Sequence, residues 1–304
     1  IAESRATGSY FCPDHFAGIM GLALCLCLGL MLDREKKPRW KIPAGIISLI
    51  ALIGIVLSKS RGAGLTVLVI ASAALVWGFR QWERPARWKY RVILAAVAVL
   101  SISVFAIYGT GYTERFLRWF GWKNIKGKPL IEMKREFIER AKITSRGRMI
   151  SGAMRAWNTN RAFGIGPGMH QNLWPHFAAS PDGDREEGIW PTLPNYNHSS
   201  YFVHSDWVQL LEEYGLVGVA LFLLPAFVTF LALISARDAC FHLGFGGLLA
   251  FTAMAFHSLG DFNLQMPATA WLFAVILAIP LAVTLDSRFI LEPSGEGAGS
   301  TGTV

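Results

Sequence analysis

The chain has 304 residues, of which 53% are hydrophobic and only 16% charged, with 20 Phe and 11 Trp. That balance excludes an ordinary soluble domain and points to a membrane protein. The formal net charge of +8 calls for no nucleic acid, because anionic lipid or an anionic substrate accounts for it equally.

In chain order, seven segments are uncharged for the length one helix needs, near 16–32, 42–58, 62–79, 92–109, 214–234, 243–260 and 262–285. The requirement is a ~30 Å hydrocarbon slab crossed at ~1.5 Å per residue. They predict an all-α polytopic membrane protein in four regions. Residues 1–109 hold the first four helices, 110–207 a long outer loop with amphipathic helices, 208–286 the last three helices, and 287–304 a disordered tail.

Basic residues in short loops set the orientation. Arg34, Lys36, Lys37, Arg39 and Lys41 lie between the first two spans, and Arg80, Arg84, Arg87, Lys89 and Arg91 between the third and fourth. With these loops and the tail cytoplasmic, the turn at Lys59 to Gly62, the long loop and the turn near Asp261 to Pro267 face outward. The start IAESRATG has no Met or signal-peptide pattern. An odd span count with an outward N-terminus reads as the C-terminal part of a longer protein. Cys12, Cys25, Cys27 and Cys240 give neither a disulfide framework nor a zinc spacing.

Within the outer loop, LIEMKREFIERAKI at 130–143 places Leu130, Met133, Phe137, Ile138 and Ala141 on one face, the pattern of an amphipathic helix. RMISGAMRAW is a second, with Met149, Ile150, Ala153, Met154 and Trp157 at helical spacing. GIGPG at 164–168 is a turn signal. It lacks the context of a dinucleotide site. After a stretch containing Pro175, Pro181, Pro191 and Pro194, helix periodicity resumes around Tyr201 to Trp207 and runs into the fifth span. Gly215 and Gly218 suggest close helix packing there.

Several side chains admit two readings. Arg61, in SKSRGAGL, is either a snorkelling interfacial arginine or a fork for phosphate oxygens. Arg146 and Arg148, in TSRGRMISG, are either a solvated basic face or further phosphate ligands. His204 heads HSDWVQLLEEYGLVG and is either an interfacial residue or a general base. On a helix it shares a face with Val208, Leu211 and Glu212, while Asp206 aligns with Gln209, Leu210 and Glu213. His198 is a rival on a loop. His257 and Asp261, four residues apart in FHSLGDF, suit a hydrogen-bonded helix end. DGD at 182–184 reads as loop, and no metal site or cofactor is expected.

HSDWVQLLEEYGLVG resembles the signature of the O-antigen ligase and Wzy-type O-antigen polymerase superfamily: His, a small polar residue, nine residues, Gly, two residues, Gly. His204, Ser205, Gly215 and Gly218 fill those places. Arg61 and Leu65 in SRGAGL resemble the family's arginine at an outer helix start, and TGSYFCPDHFAG at 7–18 its lead into a span, with Asp14 where Asn is expected. HSLGDFNLQMPATA at 257–270 resembles a late-helix motif of one bacterial branch. The stretch from Arg146 or Arg148 to GIGPG resembles the helix supplying a second arginine.

The resemblance, over about residues 7 to 285, implies an inverting, metal-independent glycosyltransferase of GT-C type in the bacterial inner membrane. Its donor is an undecaprenyl-pyrophosphate-linked glycan used on the periplasmic side, and its acceptor a hydroxyl, as in ligation to lipid A core. O-antigen or exopolysaccharide polymerisation and protein O-glycosylation are alternative acceptor choices, and a lipid-linked oligosaccharide transporter an alternative of another class. His204 is then the catalytic base, Arg61 with Arg146 or Arg148 the pyrophosphate ligands, and Asp206, Glu213, His257 and Asp261 candidate supporting groups.

Overall fold

A computed structural model describes residues 5–33, 35–80, 128–135, 145–178 and 200–291. Its helices are α1 (Pro13–Leu32), α2 (Pro38–Ser58), α3 (Arg61–Arg80), α4 (Ser145–Thr159), α5 (His170–Ala178), α6 (Asp206–Ala239), α7 (Phe241–His257) and α8 (Pro267–Leu291). A 3-10 turn, Asn263–Gln265, precedes α8. Among the described residues there are no strands, and the chain is an all-α polytopic membrane protein.

α1 and α2 open on proline in the first turn, where the missing N–H would have no helical partner. α1, α2, α6 and residues Pro267–Leu285 of α8 are long and apolar enough to cross a membrane; the apolar parts of α3 and α7 are shorter. Six of the expected spans thus correspond to helices, and 92–109 lies outside the described residues. So do residues 136–143 of the first expected amphipathic helix, of which 130–135 are helical.

The bundle core lies between α1, α2, α3 and α7, with Leu22, Cys25, Leu52, Ile55, Ile70, Leu249 and Met254 buried together. α1 and α7 cross closely. A Cβ on Gly29 would lie 2.9 Å from the Cα of Gly246, so only a small residue permits the approach. α6 and α8 instead leave Leu221, Leu224, Phe227 and Trp271 exposed, a surface suited to lipid.

Antiparallel succession gives the bundle two distinct ends. At one, the end of α1 meets the start of α7 through Asp33 and His242, 2.9 Å apart, beside the basic segment that leads into α2. At the other gather the starts of α1, α3, α6 and α8 with the ends of α2 and α7. All four cysteines are unbridged.

Two expectations about the fifth span require correction. The helix starts at Asp206, with the Ser205 side chain accepting from the Val208 N–H; the residues from Tyr201 precede it. Gly215 does not simply pack against a neighbour but breaks the helix, with φ 64° and ψ −167°.

Candidate active site

His204 stands two residues before α6, not on it, in the left-handed region at φ 60°. Among non-glycine residues this backbone is uncommon and costs ~1–2 kcal/mol, a strain that points to a constraint on the side chain. The imidazole packs edge-on to Phe262, ring centres 4.6 Å apart, and His15 does the same from α1 at 4.5 Å. Phe202 stacks on that ring at 4.6 Å. His204 Nδ1 is buried without a hydrogen-bond partner among the described residues.

Burial, reinforced by the positive charge of Arg146, pushes the His204 imidazole down to about 4. It is neutral at pH 7. That is the form able to accept a proton.

Arg146, in the first turn of α4, donates from Nη1 to the Gly260 carbonyl at 2.6 Å and from Nη2 to Asp14 at 3.3 Å. Asp14 is shared with Arg5, whose Nη2 lies 2.9 Å away and whose Nε donates to the Ser58 carbonyl at 2.7 Å. Arg148, two residues on, is turned by ~200° around a helix of 3.6 residues per turn. The structure therefore brings Arg146 to the cluster. Arg61 opens α3 directly before Gly62, whose Cβ would lie 3.2 Å from the His257 ring.

Below this cluster, Asp261 Oδ2 lies 3.6 Å from both His15 Nδ1 and His257 Nε2. These exceed hydrogen-bond length, so His257 and Asp261, expected as a hydrogen-bonded pair, lie close together with His15 without a hydrogen bond between them. Asn263 Nδ2 donates to the same oxygen at 3.0 Å. Burial pushes the Asp261 carboxyl above its usual range, against the lowering influence of His15. Among the described residues no three acidic, histidine or cysteine side chains converge to hold a metal ion. His198 and the DGD segment lie outside the described residues.

Asp206 ties the loop after α7 to α6. Its Oδ2 accepts from the Ser258 hydroxyl at 2.7 Å and the Leu264 N–H at 3.1 Å, while its own N–H points to the carbonyls of Ser258 and Asp261. Glu213 accepts from Gln209 Nε2 at 3.1 Å, and Gln209 in turn accepts from the Val203 N–H at 3.2 Å. That line reaches the residue before His204.

The break at Gly215 is stitched to the GIGPG turn. Ile165 and Gly166 donate their N–H groups to the Glu212 and Glu213 carbonyls, and Leu216 and Val217 donate to those of Arg161 and Ala162, all at 2.9 to 3.0 Å. Backbone groups released by the broken helix are thus paired again. The GIGPG segment is a turn, as its residues suggest, and also the partner of a helix break fifty residues later.

Arg5, His15, His170 and Phe262 were not singled out by the sequence. His15 had a signal in its place beside Asp14, and His170 in following the GIGPG turn directly; neither stands in a spacing that carries chemistry by itself.

Residues 46–223 match the family described as O-Antigen ligase. No curated protein matches the chain.

Proposed function

Because the chain belongs to the O-antigen ligase family, whose members act by glycosyl transfer in O-antigen and related glycan assembly, we propose a specific reaction for it. An undecaprenyl-pyrophosphate-linked glycan is transferred to an acceptor hydroxyl at the periplasmic end of the bundle, without a metal ion, as in ligation to lipid A core. The acceptor oxygen attacks the anomeric carbon as the bond from that carbon to the pyrophosphate oxygen breaks, inverting the centre. The hydroxyl proton passes to His204, and undecaprenyl pyrophosphate leaves with the bonding electrons.

The observation that carries this reading is the neutral, backbone-strained His204 within the field of Arg146. A base and a cation serve the two demands of the reaction: removing a proton and balancing charge that grows on the leaving group. Arg146 and Arg61 take the second role. A bound pyrophosphate also offsets the positive field that depresses His204, so donor binding itself raises the basicity of the imidazole. The reactive end lies opposite the basic segment before α2, which favours the outer face under the positive-inside rule.

The test is turnover by His204→Ala in the full-length membrane protein, supplied with an undecaprenyl-pyrophosphate-linked glycan and an acceptor. Loss of transfer with retained folding and donor binding supports the base. Normal transfer overturns it, and binding with translocation but no transfer by the unaltered protein assigns a transporter. Product on lipid A core assigns ligation, chain growth on the lipid carrier polymerisation, and product on a peptide hydroxyl protein glycosylation.

A further inference from the structure

We infer that Glu212, His170 and Ser200 form a buried positioning line that holds the loop carrying His204 in its strained, reactive conformation, an inference that rests on His204 being the base. His170 Nδ1 lies 2.7 Å from Glu212 Oε2, His170 Nε2 lies 3.1 Å from Ser200 Oγ, and Ser200 Oγ donates to the Phe202 carbonyl at 2.9 Å. Glu212 is 0%, His170 1% and Ser200 3% exposed. The line starts in α6, at a residue whose carbonyl is also stitched to the GIGPG turn, and passes through the first residue of α5. It ends on the backbone two residues before His204.

The acid, histidine and serine resemble a nucleophilic triad in composition, but the proton inventory argues for anchoring. Ser200 has one hydroxyl hydrogen, and its geometry commits that hydrogen to the Phe202 carbonyl. His170 Nε2 must then carry a hydrogen of its own to satisfy Ser200. With Nδ1 also sharing a hydrogen with Glu212, the His170–Glu212 pair holds one proton more than a neutral imidazole facing a carboxylate would require by itself. A serine so buried and so committed does not meet a substrate.

Chemistry requires rigidity at this place. Reacting groups displaced by about 1 Å lose about a hundredfold in rate, and the left-handed backbone of His204 persists only where its surroundings hold it. The second line, from Glu213 through Gln209 to the Val203 N–H, braces the same loop from the adjacent glutamate. The two carboxylates of the LLEEYG run therefore end on opposite sides of the loop that presents the base.

Two variants cut the line while sparing its packing. Ser200→Ala removes only the hydroxyl. Glu212→Gln keeps the shape of the side chain but replaces the carboxylate that shares a hydrogen with His170 Nδ1 by a neutral amide. Each is assayed in the full-length protein with an undecaprenyl-pyrophosphate-linked glycan and an acceptor, with thermal unfolding as a folding control. The expected result is a fall in kcat of about tenfold or more, with the donor KM changed by less than about twofold.

The groups whose charges face His204 are Arg146, Asp14, His15 and His170. Ser200→Ala changes none of these charges, so its effect is read in kcat while the acid limb of kcat/KM stays in place. A folded Ser200→Ala or Glu212→Gln protein with unaltered kcat overturns the inference. If such variants are unaltered while His204→Ala is inactive, the base stands and the positioning line falls. If His204→Ala turns over normally, both fall.

Discussion

The carboxylate of Asp14 holds the guanidinium of Arg146 at 3.3 Å while a second arginine, Arg5, reaches its other oxygen at 2.9 Å. One anion thus serves two cations. The arrangement keeps Arg146 pointed at the loop between α7 and α8 without neutralising the site. In the proposed reaction, an incoming pyrophosphate would compete with Asp14 for the same fork. Asp14→Asn, which keeps the shape and lifts the competition, is expected to lower the donor KM several-fold. Because Asp14 is only 15% exposed and holds both arginines, the same change is expected to cost stability, about 1 kcal/mol or more. Donor titration together with thermal unfolding checks both parts.

Arg146 is expected to be indispensable in a way that Lys cannot restore. Its planar fork spans the Gly260 carbonyl and Asp14, two directions that a single ammonium on a flexible stem does not hold together. Arg146→Gln and Arg146→Lys are each predicted to reduce kcat/KM by about a hundredfold or more, the scale of losing one preorganised charge stabiliser. Arg148→Gln, on the other side of α4, is predicted to fall by much less. Comparable losses at both positions would contradict the assignment of Arg146 as the pyrophosphate ligand.

The histidine makes a prediction about acidity whose sign is fixed by its environment. With its folded pKa depressed to about 4 from 6.5, His204 takes up a proton in the unfolded chain before it does so in the folded one. Stability from this group is complete above about pH 6.5 and is lost as pH falls towards 4. Asp261, raised by burial, acts with the opposite sign, contributing stability at low pH that is lost as pH rises from the ordinary carboxylate value. The difference between the unaltered protein and His204→Asn isolates the histidine. Thermal unfolding from pH 7.5 down to 4.5 is expected to decline less steeply in the variant; parallel curves would show that His204 is not depressed.

The spans and the signature histidine were legible because their signals are local. Uncharged runs declare a membrane helix from composition alone, and His204 is set off by its place ahead of one such run. The break at Gly215 was not legible: apolar periodicity passes straight through LLEEYGLVG, and what permits the break is a turn about fifty residues earlier. The roles of Glu212 and Glu213 were hidden for the same reason. Their partners His170 and Gln209 were visible, but only the fold brings His170 to Glu212 across forty-two positions. The start of α6 was shifted because Tyr201 to Val203 continue the apolar pattern, while the Ser205 cap, a short-range signal, fixes the true boundary.

The stitched break yields a stability prediction with a built-in control. At Gly215 the backbone occupies a region open essentially only to glycine, and a Cβ there would sit within 2.5 Å of the Ala162 carbonyl carbon. Gly164, with φ 72°, would bring its Cβ within 2.5 Å of the Glu213 carbonyl carbon. Backbone on both sides leaves no flexible side chain to yield. Gly215→Ala and Gly164→Ala are therefore expected to cost upwards of about 3 kcal/mol each through strain and lost pairing. The pair should be less than additive, because either change opens the same stitch. Gly21→Ala, inside α1 with nothing within 4 Å of its Cβ, is expected to be neutral or to stabilise by up to about 1 kcal/mol through helix propensity. Thermal unfolding of the three variants in one detergent decides the matter: equal behaviour at positions 215 and 21 would mean that the break does not need its glycine.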